Sequence, residues 1–487
     1  MTPSSHRSAT IAPAAAAAAV VGAGLAGALL ALGGVLGLGA VVALVYAPLV
    51  LVNLAVAISL WVPVIFFEGL PGATNAPEAG LLLLVVGWLA VLRQNQRIGE
   101  VLRAHRRVLL VALAFFAWTL TTSIWAPEPA LALDVMPSYL VVGLIYVIVL
   151  SALASAQRVR LLALCFVLGV AASVTLGLAG GQGALGGALY EEGRLNGGMG
   201  DPNDLAVAIV AALALIGGLL PSIRTLLGRW VAGTALIVVL LVGLAATASR
   251  GGLVAAAAAA LAALYFQSGR RLQVLGVLCA ALVIAGISFA SQPAALERVT
   301  QDKYGGSGRT DLWQLAWREV QDHPIHGVGS GNFAVAARPY LREPGVLTGV
   351  KFIERGHEAH NLYLGLLAET GIIGLLLYLV IPFTAVRTAV VAGRRFEASG
   401  EYAAGSLARG VATACIGVLT AAVFLSDAAD KRLWLLYALG PALLAAATIP
   451  AFAPARRKSA RPGADTGLGR RQREPSGSSA SGVSARN

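Results

Sequence analysis

In the run Arg355-Gly-His357-Glu358-Ala-His360-Asn361, two histidines, a glutamate and an arginine stand just ahead of a long apolar segment. Ionisable groups at a membrane boundary are costly and usually functional. A histidine titrates near neutral pH, so it can take a proton from a hydroxyl and turn it into a nucleophile. Other arginines lie in polar segments elsewhere in the chain. Arg194 follows Glu191-Glu-Gly and precedes Leu-Asn-Gly-Gly-Met-Gly-Asp201-Pro-Asn203-Asp204. Arg250 stands in Thr247-Ala-Ser249-Arg250-Gly251-Gly252, and Arg309 in Gly308-Arg309-Thr-Asp-Leu-Trp313. A guanidinium fork matches phosphate oxygens bidentately. Arg194, Arg250 and one of Arg309 or Arg355, brought beside the histidines, would suit a phosphate or diphosphate. No Cys/His set has zinc spacing, and no paired acidic motif marks a magnesium site. The expected chemistry is positioning and arginine electrostatics, with no metal and no cofactor.

The elements that must position these residues are apolar. Of 487 residues, 57% are hydrophobic and 12% charged, with a mean hydropathy of +0.77; soluble domains carry about 25% charged residues. Runs long enough to cross a bilayer lie near 78–93, 107–125, 134–153, 158–180, 203–220, 229–247, 251–266, 270–290, 360–392, 404–427 and 430–452. Two or three more fit in 11–67, for about 12–14 spans in an all-α, polytopic transmembrane bundle. The N-terminal Ala/Gly-rich run reads as a retained first helix. Cys165, Cys279 and Cys415 sit inside apolar runs, as core residues do.

Every second loop is basic: 93–107, Arg158 with Arg160, Arg224 with Arg229, Arg270-Arg271, and Arg387 with Arg394-Arg395. Lys and Arg favour the cytoplasmic side. The alternation places 181–202, 248–250 and 291–359 outside. There Asp201 or Asn203 can cap the next helix, and Arg250 is out of pattern unless it snorkels at a helix end. The formal charge of +12 follows from the basic loops and from a basic tail at 453–487. That tail is rich in Ser, Gly and Pro and is expected to be disordered, cytoplasmic and in contact with membrane lipids. The cations are scattered over short loops, which excludes nucleic-acid binding.

The chain thus divides into a transmembrane bundle at 1–290, one large extracytoplasmic loop at 291–359, transmembrane helices at 360–452 and the tail. Within the loop, Leu312, Leu315, Ala316 and Val320 recur at helical spacing beside Trp313 and Trp317, with Pro324 beyond. This predicts an amphipathic helix at the interface. Gly327-Val-Gly-Ser-Gly-Asn-Phe333 has no strand before it, which argues against a nucleotide loop.

His360-Asn361, nine residues, Gly371, two residues, Gly374 resembles the signature of the O-antigen ligase/polymerase superfamily of bacterial membrane glycosyltransferases. Arg309-Thr-Asp-Leu-Trp-x3-Trp with Pro324-Ile-His-Gly-Val-Gly-Ser-Gly-Asn-Phe resembles that family's large extracytoplasmic loop. Ser249-Arg250-Gly251 and Arg194-x5-Gly200-Asp-Pro-Asn203 resemble its two arginine-bearing segments. The resemblance spans about residues 190–390. It implies a GT-C-like fold in the bacterial inner membrane. It also implies transfer of a glycan from a polyprenyl-diphosphate carrier to a lipid, glycan or protein acceptor at the outer face, without metal or ATP.

By that likeness His360 is the general base, and Arg194 and Arg250 hold the diphosphate. Arg309, Arg355, His357 and Asn361 complete the substrate site. Glu358 and Glu369 are both candidates to orient the base. His357 departs from the pattern; three residues before His360, it would share a helical face with it. The single large loop favours a ligase over a glycan polymerase of the same superfamily. A small-anion, bicarbonate-like transporter is the other reading, but it calls for inverted repeats and charges at mid-membrane. Neither is visible in the sequence.

Overall fold

The computed structural model describes residues 46–92, 95–180, 186–191, 193–223, 225–267, 269, 271–291, 309–342 and 358–449. The described helices of eight or more residues run in order α1 (Leu54–Trp61), α2 (Ala76–Leu92), α3 (Gln96–Ala104), α4 (Arg106–Thr121), α5 (Met136–Ala152) and α6 (Ala156–Gly180). They continue with α7 (Pro202–Leu219), α8 (Leu226–Ala246), α9 (Arg250–Phe266), α10 (Arg271–Ser291), α11 (Arg309–Asp322), α12 (Leu362–Ala398), α13 (Tyr402–Ala421) and α14 (Lys431–Thr448). The described strands are one antiparallel pair, β1 (Tyr190–Glu191) and β2 (Arg194–Leu195). The chain is an all-α polytopic membrane protein.

Seven described helical stretches are long and apolar enough to cross a membrane, or eight if the bent pair α2 and α3 counts as one span. The difference from about 12–14 spans has identifiable sources. Residues 11–45 lie outside the described residues. The apolar stretches Leu54–Phe66 and Arg250–Phe266 are each too short.

Small residues let the central helices touch. A Cβ on Gly218 of α7 would lie 3.0 Å from Leu407 Cα of α13, and one on Gly440 of α14 would lie 2.1 Å from the Ala385 carbonyl oxygen of α12. Close backbone approach of this kind maximises dispersion contacts where lipid offers no hydrophobic drive. Fully buried Trp434, Tyr378, Tyr437 and Phe115 fill the space between α4, α12 and α14.

Four helices start at the same end of this bundle, and each is capped by a polar side chain. Asp201 accepts from the amides of Asn203 and Asp204 at α7, and Ser249 from Gly252 at α9. Asn361 accepts from Leu364 at α12, and Asp430 from Arg432 and Leu433 at α14. The caps satisfy amides that have no intrahelical partner. They also gather four positive macrodipole ends in one region. At the opposite end Arg409 on α13 pairs with Glu397 on α12 and donates to the Phe266 carbonyl of α9.

Helix α12 is broken at Gly371, where φ is 66° and ψ −173°. That region of backbone space is essentially closed to any residue with a side chain. The groups freed by the break are taken up from outside. Val328 N–H donates to the Ala368 carbonyl (2.9 Å) and Gly329 N–H to the Glu369 carbonyl (2.8 Å). The Trp118 indole donates to the Thr370 carbonyl (2.8 Å), and Ile372 N–H to the Pro324 carbonyl (3.0 Å). The glycine-rich segment after Pro324 is therefore a plug for a helix break, and Gly327, Gly329 and Gly331 all adopt positive φ to form it.

The amphipathic stripe of α11 packs against the start of α12. Leu312, Leu315, Ala316 and Val320 bury against Ala359, Leu364, Leu367 and Ala368 around the start of α12, while Trp317 is 52% exposed.

Candidate functional site

Arg194 leads β2 and turns onto the α8–α9 corner. Its Nε donates to the Thr247 carbonyl (2.9 Å) and its Nη2 to the Asn203 side-chain oxygen (2.9 Å). The same oxygen accepts from Ser249 Oγ (2.8 Å). Asp201 is thus the cap of α7, while Asn203 ties the Arg194 hairpin to the segment that carries Arg250. Ala248, just before that segment, holds φ at 47°; a non-glycine residue adopts this conformation only when its surroundings impose it.

Arg309 at the head of α11 joins the group. Its guanidinium is pushed below its ordinary value first by burial and then by the like charges of Arg194 and Arg250, with Asp201 opposing. Three arginines, 56 and 59 residues apart in the chain, therefore share one electrostatic environment. Its positive potential, partly offset by Asp201, favours the binding of an anion.

His360 stands beside this cluster, on the wall of a cavity of about 210 Å³. It is not on a helix. Its φ of 46° places it in the left-handed region, one residue ahead of the Asn361 cap. Its backbone N–H donates to Ser426 Oγ (2.7 Å), which fixes the strained residue from the α13–α14 connection. The helical face that His357 and His360 were expected to share does not exist at His360.

The cavity is lined by apolar Phe166, Val207, Ala211, Val418 and Leu436 and by polar Asp201, Asn203, Asp204, Glu358, Asp427, Asp430 and Arg432. Arg432 pairs with Asp204 (2.8 Å) and with Asp430. Asp427 is pushed above the usual carboxylate range by burial and then by the Asp430 carboxylate. Asn203 and Asp201 belong both to this wall and to the arginine cluster, so the cationic and acidic halves adjoin.

Among the sequence-predicted residues, Arg194, Arg250 and Arg309 are brought together, and His360 lines the adjoining cavity. Asn361 spends its side-chain oxygen on capping α12 (3.1 Å to Leu364 N). Arg355 and His357 lie outside the described residues, as does the predicted tail at 453–487. Glu358 lines the cavity. Glu369 instead faces the plug loop, accepting from Phe333 N–H (3.4 Å).

Sequence reasoning missed Arg432, Asp427, Asp204 and Ser426. One signal was present. Lys431-Arg432 opens an apolar helix right after Asp427 and Asp430. Among the described residues, no group of three or more His, Cys, Asp or Glu is arranged to hold a metal ion.

Residues 235–379 match the family model described as O-antigen ligase. The match takes in Arg250, Arg309, His360, Asn361, Gly371 and Gly374, and it ends inside α12. Arg194 lies ahead of it. No curated protein matches the chain.

Proposed function

Starting from a chain that carries a domain of the O-antigen ligase/polymerase superfamily, we propose that this glycosyltransferase moves a glycan from a polyprenyl-diphosphate carrier to an acceptor hydroxyl at the outer face of the cytoplasmic membrane. The observation that carries the reading is the division of one bundle end by charge. Arg194, Arg250 and Arg309 form a cationic half, and His360 shares an acid-lined cavity with Asp427 and Arg432. A diphosphate belongs with the arginines and is repelled by the carboxylates. A hydroxyl-bearing acceptor suits the cavity, where carboxylates accept its hydrogen bonds.

His360 takes the proton of the acceptor hydroxyl as the acceptor oxygen bonds to the anomeric carbon. The bond from that carbon to the diphosphate oxygen breaks on the opposite side, and polyprenyl diphosphate leaves with the electron pair. The three arginines and the converging helix N-termini stabilise the charge that develops on it. Attack opposite the leaving group inverts the anomeric centre. The basic residues Arg158, Arg229, Arg271, Arg394 and Arg395 belong to the other end of the bundle. The positive-inside rule therefore supports an outward-facing site.

The test uses the full chain in lipid with a polyprenyl-diphosphate glycan and candidate acceptors. His360→Ala is expected to lower transfer by about 10²–10⁴-fold, the usual contribution of a general base. Arg250→Lys, which keeps the charge but loses the fork, is expected to lower it by about 10²-fold or more. Undiminished transfer by His360→Ala would remove the base assignment.

A further inference from the structure

The seam between α11 and the first segment of α12 holds a group that the transfer reaction does not use. Glu319 is 0% exposed. Neither of its carboxylate oxygens has a hydrogen-bond partner among the described residues. Its neighbours along the helix, Leu315, Ala316 and Val320, belong to an apolar cluster completed by Ala359 and Ala368. The charge that acts on it is Glu369 of α12, a like charge. Other titratable or charged groups on the surrounding elements are Glu358, Tyr139 and Tyr340, with Arg309, Asp311, Arg318 and Asp322 on α11 itself and His323 just beyond it; Tyr340 is engaged with Asp322. A carboxylate without partners in an apolar seam costs far more than the neutral acid.

We propose that Glu319 is a positioning residue that seats α11 on the His360 helix as the neutral acid, and that loss of its proton loosens α11 and withdraws Arg309 from the arginine cluster. The part played by Arg309 rests on the function proposed above; the seating of α11 does not. Burial first, and then Glu369, push the Glu319 carboxyl up to about 9. In the undocked helix it would titrate at about 4.3. The docked value is the higher one, so the contribution to docking is complete below about pH 4.3 and is lost as pH rises through about 9. Between those limits the docking constant falls up to about tenfold per pH unit.

The experiment is amide hydrogen exchange of residues 309–322 in the full chain in lipid, from about pH 5.5 to 9, corrected for intrinsic exchange. Wild-type protection of α11 is expected to fall up to about tenfold per pH unit relative to α13. Glu319→Gln keeps the shape without the ionisation, and its protection is expected to be flat. Glu319→Met provides the same readout if the glutamine variant does not fold. Flat protection in the wild type, or an equal decline in the variant, overturns the proposal. Transfer assays on the same samples separate the two readings. Absent transfer in every sample would count against the proposed function while leaving the exchange result to decide the role of Glu319. Normal transfer with α11 loosened would break the link to Arg309.

Discussion

Replacing Gly371 by alanine should sever the connection between the plug loop and the helix headed by His360. The substitution meets two costs at once. The native φ of 66° with ψ of −173° is a glycine-only conformation, and forcing a side chain into it costs about 1–3 kcal/mol. The added Cβ would also lie 2.1 Å from the Ile325 carbonyl oxygen and 2.5 Å from the His326 nitrogen. These are backbone atoms and cannot swing aside, so overpacking adds about 1–3 kcal/mol. If the loop moves to make room, it gives up the Val328–Ala368, Gly329–Glu369 and Ile372–Pro324 hydrogen bonds, each worth about 0.5–1.5 kcal/mol.

The expected loss is therefore about 2–6 kcal/mol of local stability, read as a lowered midpoint of thermal inactivation in detergent and a matching loss of transfer. Gly99→Ala is the control, because a Cβ there meets nothing within 4 Å on helix α3. That change should be neutral or stabilise by up to about 1 kcal/mol. If Gly371→Ala behaves like Gly99→Ala, the account of the α12 break is wrong.

Asn203→Ala removes the acceptor shared by Arg194 and Ser249. It should lower transfer about tenfold or more, since a hydrogen bond to a charged group is worth about 1.5–3 kcal/mol; unchanged kcat/KM would show that Arg194 needs no such guide. Arg432→Met strands Asp204 and Asp430 without their cation, and a thermal melt should register about 3–5 kcal/mol of destabilisation. Ser426→Ala leaves the strained His360 backbone without its anchor; the expected result is a fall in kcat with little change in stability. A strong chelator should leave transfer unaltered, because the proposed charge stabilisation comes from arginines, and inhibition reversed by added divalent metal would contradict it.

Several of these features were legible in the chain. An apolar helix declares itself by length and composition alone, because a bilayer demands about 20 apolar residues. Arg194, Arg250 and Arg309 stood out as arginines in the segments outside the alternating basic loops. His360 stood out by its register with Asn361, Gly371 and Gly374. Glu319 lies seven residues after Leu312, where the stripe's periodicity asks for an apolar residue.

The tertiary structure decided what these residues face. Sequence spacing could not tell that Asn203 binds Arg194 rather than capping α7, since both roles use the same side-chain oxygen and only the position of the α8–α9 corner selects between them. It could not place Ser426 under His360 or Arg432 in the cavity wall, because those contacts join residues 66 and 228 positions apart. Nor could it show that the glycines after Pro324 exist for the α12 break. Local sequence determines which segments are helical and where a charge is out of place. Which charges meet is settled by the packing of distant helices, whose small-residue contacts fix the ends of α7, α9, α12 and α14 around one point.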